Sequence, residues 1–359
     1  MTTSTRFSDT ILRWFAENGR ALPWRETRDP YAVWLSEIIL QQTRVSQGRE
    51  YWERFMRQYP TVEDLAEASE DEVLKLWQGL GYYSRARNLH TAARQIAQLG
   101  RFPDTLEEIR KLKGVGDYTA AAIGSIAFGL PAAVLDGNVY RVLSRYFGID
   151  TPINTTQGKK EFSALAQSLL PARQASAYNQ GMMDFGAIQC TPASPRCLLC
   201  PLADSCEALR LGKVATLPVK AKTVKISTRW LTYVYLRHQG KVAIRRRGKG
   251  DIWQGLWEPF NASVHEDKSC AQVEEIMQAL QLDPAKATVR EVAKGVKHVL
   301  THRILLADFY LIEAETAPLL PPEYQWVEEK DCGNYAVPRL IEQMFERVWT
   351  QERAGKRRD

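Results

Sequence analysis

The sequence predicts two domains of different class, a mainly helical amino-terminal domain and a smaller α+β domain after it. Within residues 1–208 apolar side chains recur at intervals of three and four, as at Val33, Trp34 and Ile38, which is the period of an amphipathic helix. After residue 228 short stretches alternate apolar and polar residues, which is the period of a strand. A chain of 359 residues is long enough to bury two such cores.

Local signals support each element. Ser69 with Glu72, and Thr105 with Glu108, have the spacing of a capping box and predict helix starts. Alternation predicts strands at Trp230–Leu236, Lys241–Arg245 and Leu305–Ile312, and helical patterns predict helices at 271–282 and 338–349. These elements make the second domain, residues 229–350, α+β.

A basic segment separates the two domains. Residues 209–228 contain lysines and arginines, one proline and no acid after Arg210. A solvated connector and a strap that faces phosphates both fit this composition. Residues 351–359 form a basic tail that includes Lys356, Arg357 and Arg358.

Composition excludes some classes of protein. The chain has 48 Lys plus Arg against 42 Asp plus Glu, a net charge of +6 that permits a nucleic-acid partner without requiring one. The sequence contains no run of about 18 apolar residues, so it predicts no membrane-spanning helix. The first residues lack the basic and apolar segments of a secretory signal, so we expect a bacterial cytoplasmic protein.

Four cysteines crowd together in the sequence. Cys190, Cys197, Cys200 and Cys206 have six, two and five residues between them. Four thiolates are the ligand set of an iron–sulfur cluster or of a structural zinc ion. Disulfides are the third reading, and a reducing compartment disfavours them.

A glycine pair lies between two predicted helices. In Leu112–Ile123 the first helix ends near Leu112 and the next begins at Asp117 or Tyr118, with Gly114 and Gly116 between them. Glycine allows close approach of a ligand to the backbone, and the amides that start a helix favour an anion. The segment is therefore either a DNA phosphate site without sequence preference or a plain tight turn.

Two acidic residues lie in sequence contexts that predict different protonation states, one neutral and one ionised. Glu37 lies in a strongly apolar helix, where burial can raise its pKa from about 4.3 towards 7. Asp136 precedes a Gly-Asn step and predicts an N-cap that hydrogen bonds keep ionised. An exposed glutamate and a purely structural cap are the alternatives. One neutral and one charged acid are what glycosidic cleavage needs.

Several motifs together resemble one family. The cysteine spacing resembles the [4Fe–4S] loop of endonuclease III-like DNA glycosylases, and Leu112–Gly116 resembles their helix-hairpin-helix motif with Lys113 in place of a proline. The segments 34–43, 79–88 and 135–139 match the MutY family of adenine DNA glycosylases within that group. The resemblance runs from about residue 7 to 206 and more loosely beyond.

The resemblance implies a fold and a cofactor. It implies two helical lobes and a [4Fe–4S] cluster held by the four cysteines, which orders a basic loop facing DNA where Arg196 lies. Bifunctional relatives carry a lysine nucleophile where this chain has Tyr118, so the resemblance implies a glycosylase that does not cut the strand. Lys111 and Lys113 are nearby but out of register.

The resemblance also implies roles for individual residues. Glu37 would protonate N7 of an extruded adenine, Asp136 would stabilise the sugar cation, and Asn138 would orient Asp136. Tyr118 would line the site and Gln180 would contact adenine. The residues implied to contact DNA are Gln42, Thr43, Leu80, Tyr82, Gly114 and Gly116.

The second domain resembles a Nudix-like domain that reads 8-oxoguanine on the opposite strand. Trp253–Glu258 matches the family's Trp-x-Gly-Leu-Trp signature, whereas the acidic box of Nudix hydrolases is missing. The family's Phe-Ser-His reading loop corresponds to Leu300, Thr301 and His302. Ordinary surface positions on a hairpin are the alternative for His298 and His302.

We therefore expect excision of adenine opposite 8-oxoguanine or guanine by a monomer bound to double-stranded DNA. An endonuclease III-like or thymine mismatch glycosylase, and a non-catalytic iron–sulfur DNA-binding protein, are the alternatives. Contacts with a sliding clamp or a mismatch-repair protein are implied by family analogy alone.

Overall fold

The computed structural model describes residues 3–221, 226–263 and 269–355. The chain divides into two compact units, one made of Met1–Glu67 and Asn88–Lys222 and the other of Ala68–Arg87 and Thr223–Asp359. Of the predicted basic tail, residues 351–355 continue the last helix, and residues 356–359 lie outside the described residues. Among the described residues, none of the helices combines the length and apolar character needed to cross a membrane.

The first 210 residues are mainly helical, as the apolar period predicts. The helices, in chain order, are α1 (Thr3–Asn18), α2 (Pro30–Leu40), α3 (Val45–Gln58), α4 (Val62–Glu67), α5 (Glu70–Trp77), α6 (Ser84–Leu99), α7 (Leu106–Lys111), α8 (Asp117–Ala127), α9 (Gly137–Phe147), α10 (Thr156–Leu169), α11 (Ala175–Asp184) and α12 (Glu207–Arg210).

Side-chain caps set several helix starts. Asp29 accepts hydrogen bonds from the first-turn amides of α2, and Thr105 accepts one from Glu108 N at the start of α7. Ser69 and Glu72 form a reciprocal capping box on α5. Both predicted capping positions are therefore confirmed, because a side-chain oxygen there satisfies amides that the helix itself leaves unpaired.

One apolar core joins α1, α9, α10 and α11 in the first unit. Phe7, Phe162 and Phe185 are almost completely buried in it. Two short turns of this unit, Pro23–Arg25 as a 3₁₀ turn and Phe185–Gln189 as a π-helical turn, carry residues that reach the candidate site.

The second unit is built on a mixed sheet. Its strands are β1 (Ser227–His238), β2 (Lys241–Arg246), β3 (Trp257–Asn261), β4 (Ala287–Val299), β5 (Arg303–Ala314) and β6 (Tyr324–Glu328). Within the described residues the strand order is β4-β5-β1-β3-β2-β6, with β1 and β5 parallel and the other pairs antiparallel.

Helices cover both faces of this sheet. Helix α14 (Arg339–Gly355) packs against the face that holds Tyr235, whose ring meets Phe345 edge-on. Helix α13 (Val273–Ala279) packs with Val234 on the other face. The α+β prediction is confirmed, and the alternation of Val234 and Tyr235 along β1 explains it.

The second unit also includes a segment from the middle of the helical sequence. Arg87 Nη1 donates to the Gln254 carbonyl at 2.5 Å, and Gln78 Nε2 donates to Glu342 Oε1 at 3.1 Å. Helix α5 and the loop after it therefore pack with the sheet domain.

The segment expected as a linker begins as part of the first unit. Leu217 is buried, and its carbonyl accepts a hydrogen bond from Arg145 Nε at 3.1 Å. Ile153 N donates to the Val219 carbonyl at 3.0 Å, and Asn154 exchanges hydrogen bonds with Ala221. The end of this segment, 217–221, is thus bonded to the first unit, whereas most of residues 209–216 are exposed.

Candidate active site

A pocket of about 650 Å³ lies in the first unit. Six of the residues predicted for the site line it, namely Glu37, Thr43, Tyr118, Asp136, Asn138 and Gln180. They come from α2 and its end, the start of α8, the start of α9 and α11. The fold therefore brings together side chains that are up to 143 positions apart in the chain.

Glu37 is the buried acid of this pocket. It lies in the third turn of α2, among apolar neighbours, with 8% of its surface exposed. Burial raises its pKa to about 7, the nearby Asp136 charge adds to the rise, and hydrogen bonding from Tyr118 and the Arg25 charge oppose it. Burial therefore favours the protonated form of this carboxyl, and the exposed-glutamate alternative is wrong.

Tyr118 holds Glu37 in place. Its hydroxyl donates a 2.9 Å hydrogen bond to Glu37 Oε2 from the first turn of α8. Burial and the neighbouring acids raise the pKa of this phenol well above its ordinary value. Tyr118 is therefore a neutral donor, and the pocket wall at this position contains no amine.

Asp136 caps α9, as its sequence context predicts. Its Oδ1 accepts a hydrogen bond from Val139 N at 2.8 Å, and its Oδ2 accepts one from Asn138 Nδ2 at 2.7 Å. Burial raises the pKa of this carboxyl, while these hydrogen bonds and the Arg141 charge oppose the rise. The balance differs from that at Glu37, where one hydrogen bond and the Arg25 charge oppose burial.

Arg141 connects the Asp136 site to the cysteine loop. Its Nη2 donates to Asn138 Oδ1 at 2.9 Å and to the Gly186 carbonyl at 2.6 Å, and its Nε donates to the Cys190 carbonyl at 2.7 Å. Sequence reasoning missed this residue. The available signal was its position one turn after Asn138 on the same helix.

Gly186 allows the close packing beside Asn138. A Cβ at Gly186 would lie 2.5 Å from the Asn138 Cβ and 3.0 Å from its backbone. Gly186 belongs to the π-helical turn, an irregularity that is common at functional sites. Any side chain at this position would displace Asn138.

Gln180 offers an unused acceptor. Its Nε2 donates to Ser176 Oγ at 3.1 Å, and its buried Oε1 has no hydrogen-bond partner among the described residues. An orphaned buried acceptor in a pocket is costly unless a ligand supplies a donor. The pocket is therefore suited to a ligand with an amino group at this point.

The four clustered cysteines line a second, smaller cavity. Cys190, Cys197, Cys200 and Cys206 border it together with Arg145, whose Nη1 lies 3.4 Å from the Cys190 sulfur. In the described parts of the chain, no three His, Cys, Asp or Glu side chains are grouped so that they could hold a single metal ion. None of the cysteines forms a disulfide there.

The predicted hairpin between helices is confirmed. Helix α7 ends at Lys111 and α8 begins at Asp117, with Val115 N bonded to the Leu112 carbonyl. Gly114 has a φ of +79°, and a Cβ there would lie 2.7 Å from Asn88. Gly116 is exposed beside the first amides of α8, outside the pocket.

The remaining predicted contact residues lie elsewhere. Gln42 is exposed on the first unit with a φ of +56°, a strained conformation for a non-glycine residue. In the second unit Tyr82, with a φ of +46°, is 48% exposed, whereas the neighbouring Leu80 is buried.

Tyr82 and the predicted reading loop meet within the second unit. The Tyr82 hydroxyl and Thr301 Oγ1 are hydrogen-bonded at 2.7 Å. Thr301 and His302 are exposed at the tip of the β4–β5 hairpin, which Leu300 N closes by donating to the Arg303 carbonyl. The hairpin expected from the sequence is therefore present.

Sequence comparisons cover both parts of the chain. Residues 35–171 match the HhH-GPD superfamily base excision DNA repair proteins, and residues 232–347 match the NUDIX domain family. The adenine DNA glycosylase of Buchnera aphidicola subsp. Baizongia pistaciae is 33% identical over 84% of this chain and 85% of its own length. The human adenine DNA glycosylase is 32% identical over 98% of this chain and 75% of its own length.

Solved structures share the helical fold. A thermostable thymine-DNA glycosylase superimposes with a TM-score of 0.54 and 34% identity, covering 58% of this chain and 97% of its own. Endonuclease III in a non-covalent DNA complex gives a TM-score of 0.51 at 24% identity, covering 59% of this chain and 99% of its own, and shares the fold alone. Because the adenine DNA glycosylases match most of the sequence, including the second domain, the chain belongs to the adenine DNA glycosylase family of the HhH-GPD superfamily.

Proposed function

We propose that this enzyme hydrolyses the N-glycosidic bond of adenine paired with 8-oxoguanine or guanine and leaves the abasic strand uncut. The observation that carries the proposal is the pair of acids in one pocket, Glu37 buried so that its pKa is raised, and Asp136 hydrogen-bonded as a helix cap. Such a pair separates the roles of proton donor and charge stabiliser.

Adenine would reach this pocket by leaving the base stack, which is how enzymes gain access to a glycosidic bond in a duplex. The free Gln180 Oε1 would accept a hydrogen bond from the N6 amino group of adenine. Guanine carries an oxygen acceptor at the equivalent position, so the same contact would be repulsive. Gln180 thus supports adenine as the excised base.

The two acids would act on opposite ends of the scissile bond. Glu37 would protonate adenine N7, which makes the base a better leaving group, and general acid catalysis is typically worth about 10² to 10⁴-fold. Asp136, held by Asn138 and Val139, would stabilise the positive charge that develops on the sugar. Thr43 and Tyr118 complete the wall on the Glu37 side.

The packing of Gly186 against Asn138 gives a test of this arrangement. We expect Gly186→Ala to lower single-turnover adenine excision about 100-fold, because a displacement near 1 Å in a catalytic group has effects of that size. Gly137→Ala is the matched control, since no atom lies within 4 Å of its added Cβ. Equal excision rates for the two variants would contradict the role of Asn138.

The absence of an amine at position 118 supports base release without strand cleavage. We expect Tyr118→Lys to gain a covalent intermediate with the abasic sugar, trapped by borohydride, because a lysine amine can form a Schiff base. Tyr118→Phe, which lacks an amine, is the control and should trap nothing. A folded, base-excising Tyr118→Lys enzyme without a trapped complex would count against this explanation.

The Tyr82–Thr301 contact supports lesion reading by the second unit. It joins Tyr82, which we propose wedges the base stack, to the hairpin proposed to read the opposite base, and both are exposed. A hydroxyl can both donate and accept, so Thr301 keeps capacity for a hydrogen bond to 8-oxoguanine. His302 is exposed beside it, and Leu300 is half-buried where the family has an aromatic ring.

The Thr301 hydroxyl can be tested by removing it alone. We expect Thr301→Val to reduce the preference for 8-oxoguanine over guanine by about 2- to 10-fold, the usual value of one hydrogen bond. Thr301→Ser keeps the hydroxyl and should keep the preference. The readout is the ratio of single-turnover rates on the two duplexes, and an unchanged ratio for Thr301→Val would remove the assignment.

We propose that Cys190, Cys197, Cys200 and Cys206 hold a [4Fe–4S] cluster. The donor set supports this, because four thiols border one cavity and the Arg145 cation lies beside them. Bound there, the cluster would order the loop that carries Arg196. Phosphates would bind the amides at the Gly114–Gly116 turn. The exposed Gln42 side chain would fill the gap beside the estranged base.

We also propose a monomer that acts in the bacterial nucleoid, since one chain supplies every group in the pocket.

The experiment that tests the proposed function measures base release from duplexes with adenine opposite 8-oxoguanine, guanine or thymine, and with thymine opposite guanine. Strand breaks that need alkali, fastest for adenine opposite 8-oxoguanine, are expected. Breaks without alkali, or release of thymine alone, would overturn the proposal.

A further inference from the structure

One buried carboxylate, bonded to two arginines that line the pocket, has no part in the mechanism above. Asp184, the last residue of α11, is fully buried. It accepts hydrogen bonds from Arg20 through the backbone N and Nε, both at 2.9 Å, and Nη2 at 2.5 Å. It also accepts from Arg25 through Nη1 at 2.7 Å and Nη2 at 2.9 Å.

Both arginines reach the pocket that holds the two acids. Arg20 and Arg25 line it together with Glu37 and Asp136, although they are largely buried. Arg25 also donates to the Arg20 carbonyl at 3.0 Å, so the two side chains form one rigid group with Asp184. Two guanidinium cations and one carboxylate leave this group with a net charge of +1.

Asp184 is charged despite its burial. Burial alone would raise the pKa of its carboxyl, but the hydrogen bonds from Arg25 and Arg20 and the Arg25 charge outweigh that effect and lower it. A carboxylate bonded to two arginines is a charge-assisted arrangement with fixed geometry. Asp184 therefore fixes the positions of both guanidinium groups, and its negative charge neutralises part of their positive charge.

The pKa of Glu37 depends on the charge of this group. Three neighbours act on its protonation: Tyr118 on α8, Asp136 at the start of α9 and Arg25 in the 3₁₀ turn before α2. Tyr118 and Arg25 favour the carboxylate, and Asp136 disfavours it. A change in the uncompensated charge of Arg25 must therefore change the proton affinity of Glu37.

We propose that Asp184 is a positioning residue that acts through Arg20 and Arg25, fixing them in the pocket wall and limiting the positive charge that reaches Glu37. The inference rests on the proposed function, because it assigns Glu37 the role of proton donor. It adds a residue that touches no substrate yet sets the pH range in which the acid carries a proton.

The test is the pH dependence of single-turnover adenine excision opposite 8-oxoguanine in full-length variants. In Asp184→Asn both arginines keep their charge without an offset, so we expect the alkaline limb of the profile to move down by roughly 0.5 to 1 pH unit. Arg25→Gln removes the cation that favours the Glu37 carboxylate, so the alkaline limb should move to higher pH. Tyr118→Phe removes the hydrogen bond that favours the carboxylate and should also move it up.

Opposite shifts for Asp184→Asn and Arg25→Gln are the expected result, and a purely structural role would move neither limb. An unchanged limb in a folded Asp184→Asn enzyme would overturn the proposal. If that variant does not fold, an unmoved limb in Arg25→Gln would overturn it as well.

A second readout separates this inference from the proposed function. Titration of the Glu37 carboxyl by ¹³C NMR in the same variants should show the same two shifts and does not need turnover. Absence of adenine release by the wild-type enzyme would defeat the proposed function. Absence of the NMR shifts would defeat the role of Asp184.

Discussion

The Asp136→Asn variant is expected to bind a duplex with adenine opposite 8-oxoguanine normally and to excise adenine about 10³-fold more slowly or worse. Asparagine can still accept the hydrogen bond from Val139 N, because Asn and Asp cap helices about equally well. It carries no charge, so it cannot stabilise the cation on the sugar, and preorganised electrostatic groups of this kind have effects of that size.

The measurement pairs a gel-shift titration with single-turnover base release on the same duplex. Equal affinity with lost excision assigns Asp136 to the chemical step. Normal turnover by the variant would remove Asp136 from the mechanism, and lost binding would assign it to the fold of α9 instead.

The Glu37→Gln variant is expected to lose excision and to gain stability at alkaline pH. Loss of the proton donor should slow excision by about 10² to 10⁴-fold. The pKa of Glu37 is about 7 in the folded protein against an ordinary value of 4.5. The folded state therefore holds more protons than the unfolded state between those values, and stability falls as pH rises through that window.

The size of the stability effect follows from the same difference. About 2.5 units correspond to roughly 3 kcal/mol of unfolding free energy, fully lost above pH 7. Glutamine stays neutral and avoids this loss, so Glu37→Gln should gain up to about 3 kcal/mol over wild type between pH 5 and pH 8.5 in urea unfolding. An equal difference at both pH values would show that Glu37 is not protonated in the folded state.

Local patterns predicted the site residues that act within one element. The Asp136 cap, the turn at Gly114 and the capping boxes each involve residues at most a few positions apart, so the sequence carries their geometry directly. The apolar residues around Glu37 in α2 left burial and exposure both open, and its 8% exposure in the fold decides for burial.

Residues that act across the fold could not be predicted in the same way. Asp184 meets Arg20 and Arg25 across about 160 positions of the chain, and no spacing rule marks such a triad. The grouping of Ala68–Arg87 with the second unit is a similar case. It depends on ion pairs such as Arg246 with Glu70, which only tertiary packing brings together.

The sheet shows the same division. The three strands with clear alternation, β1, β2 and β5, were predicted. The aromatic face of β1 packs on α14, and its aliphatic face packs on α13. Strand β4 escaped prediction because it is mostly exposed and its register shifts at Gly295. Strands β3 and β6 have five residues each and were not predicted, and β3 contains Pro259, a residue that argues against a strand because it has no N–H to donate.

The proposed mechanism depends most on the protonation of Glu37, which ¹³C NMR of a glutamate-labelled enzyme measures directly. Assignment uses the resonance that disappears in Glu37→Gln. A carboxyl titration with a midpoint about 7 is the predicted result. A midpoint near the ordinary 4.5 would contradict the account, because Glu37 would then hold no proton to give to adenine at neutral pH.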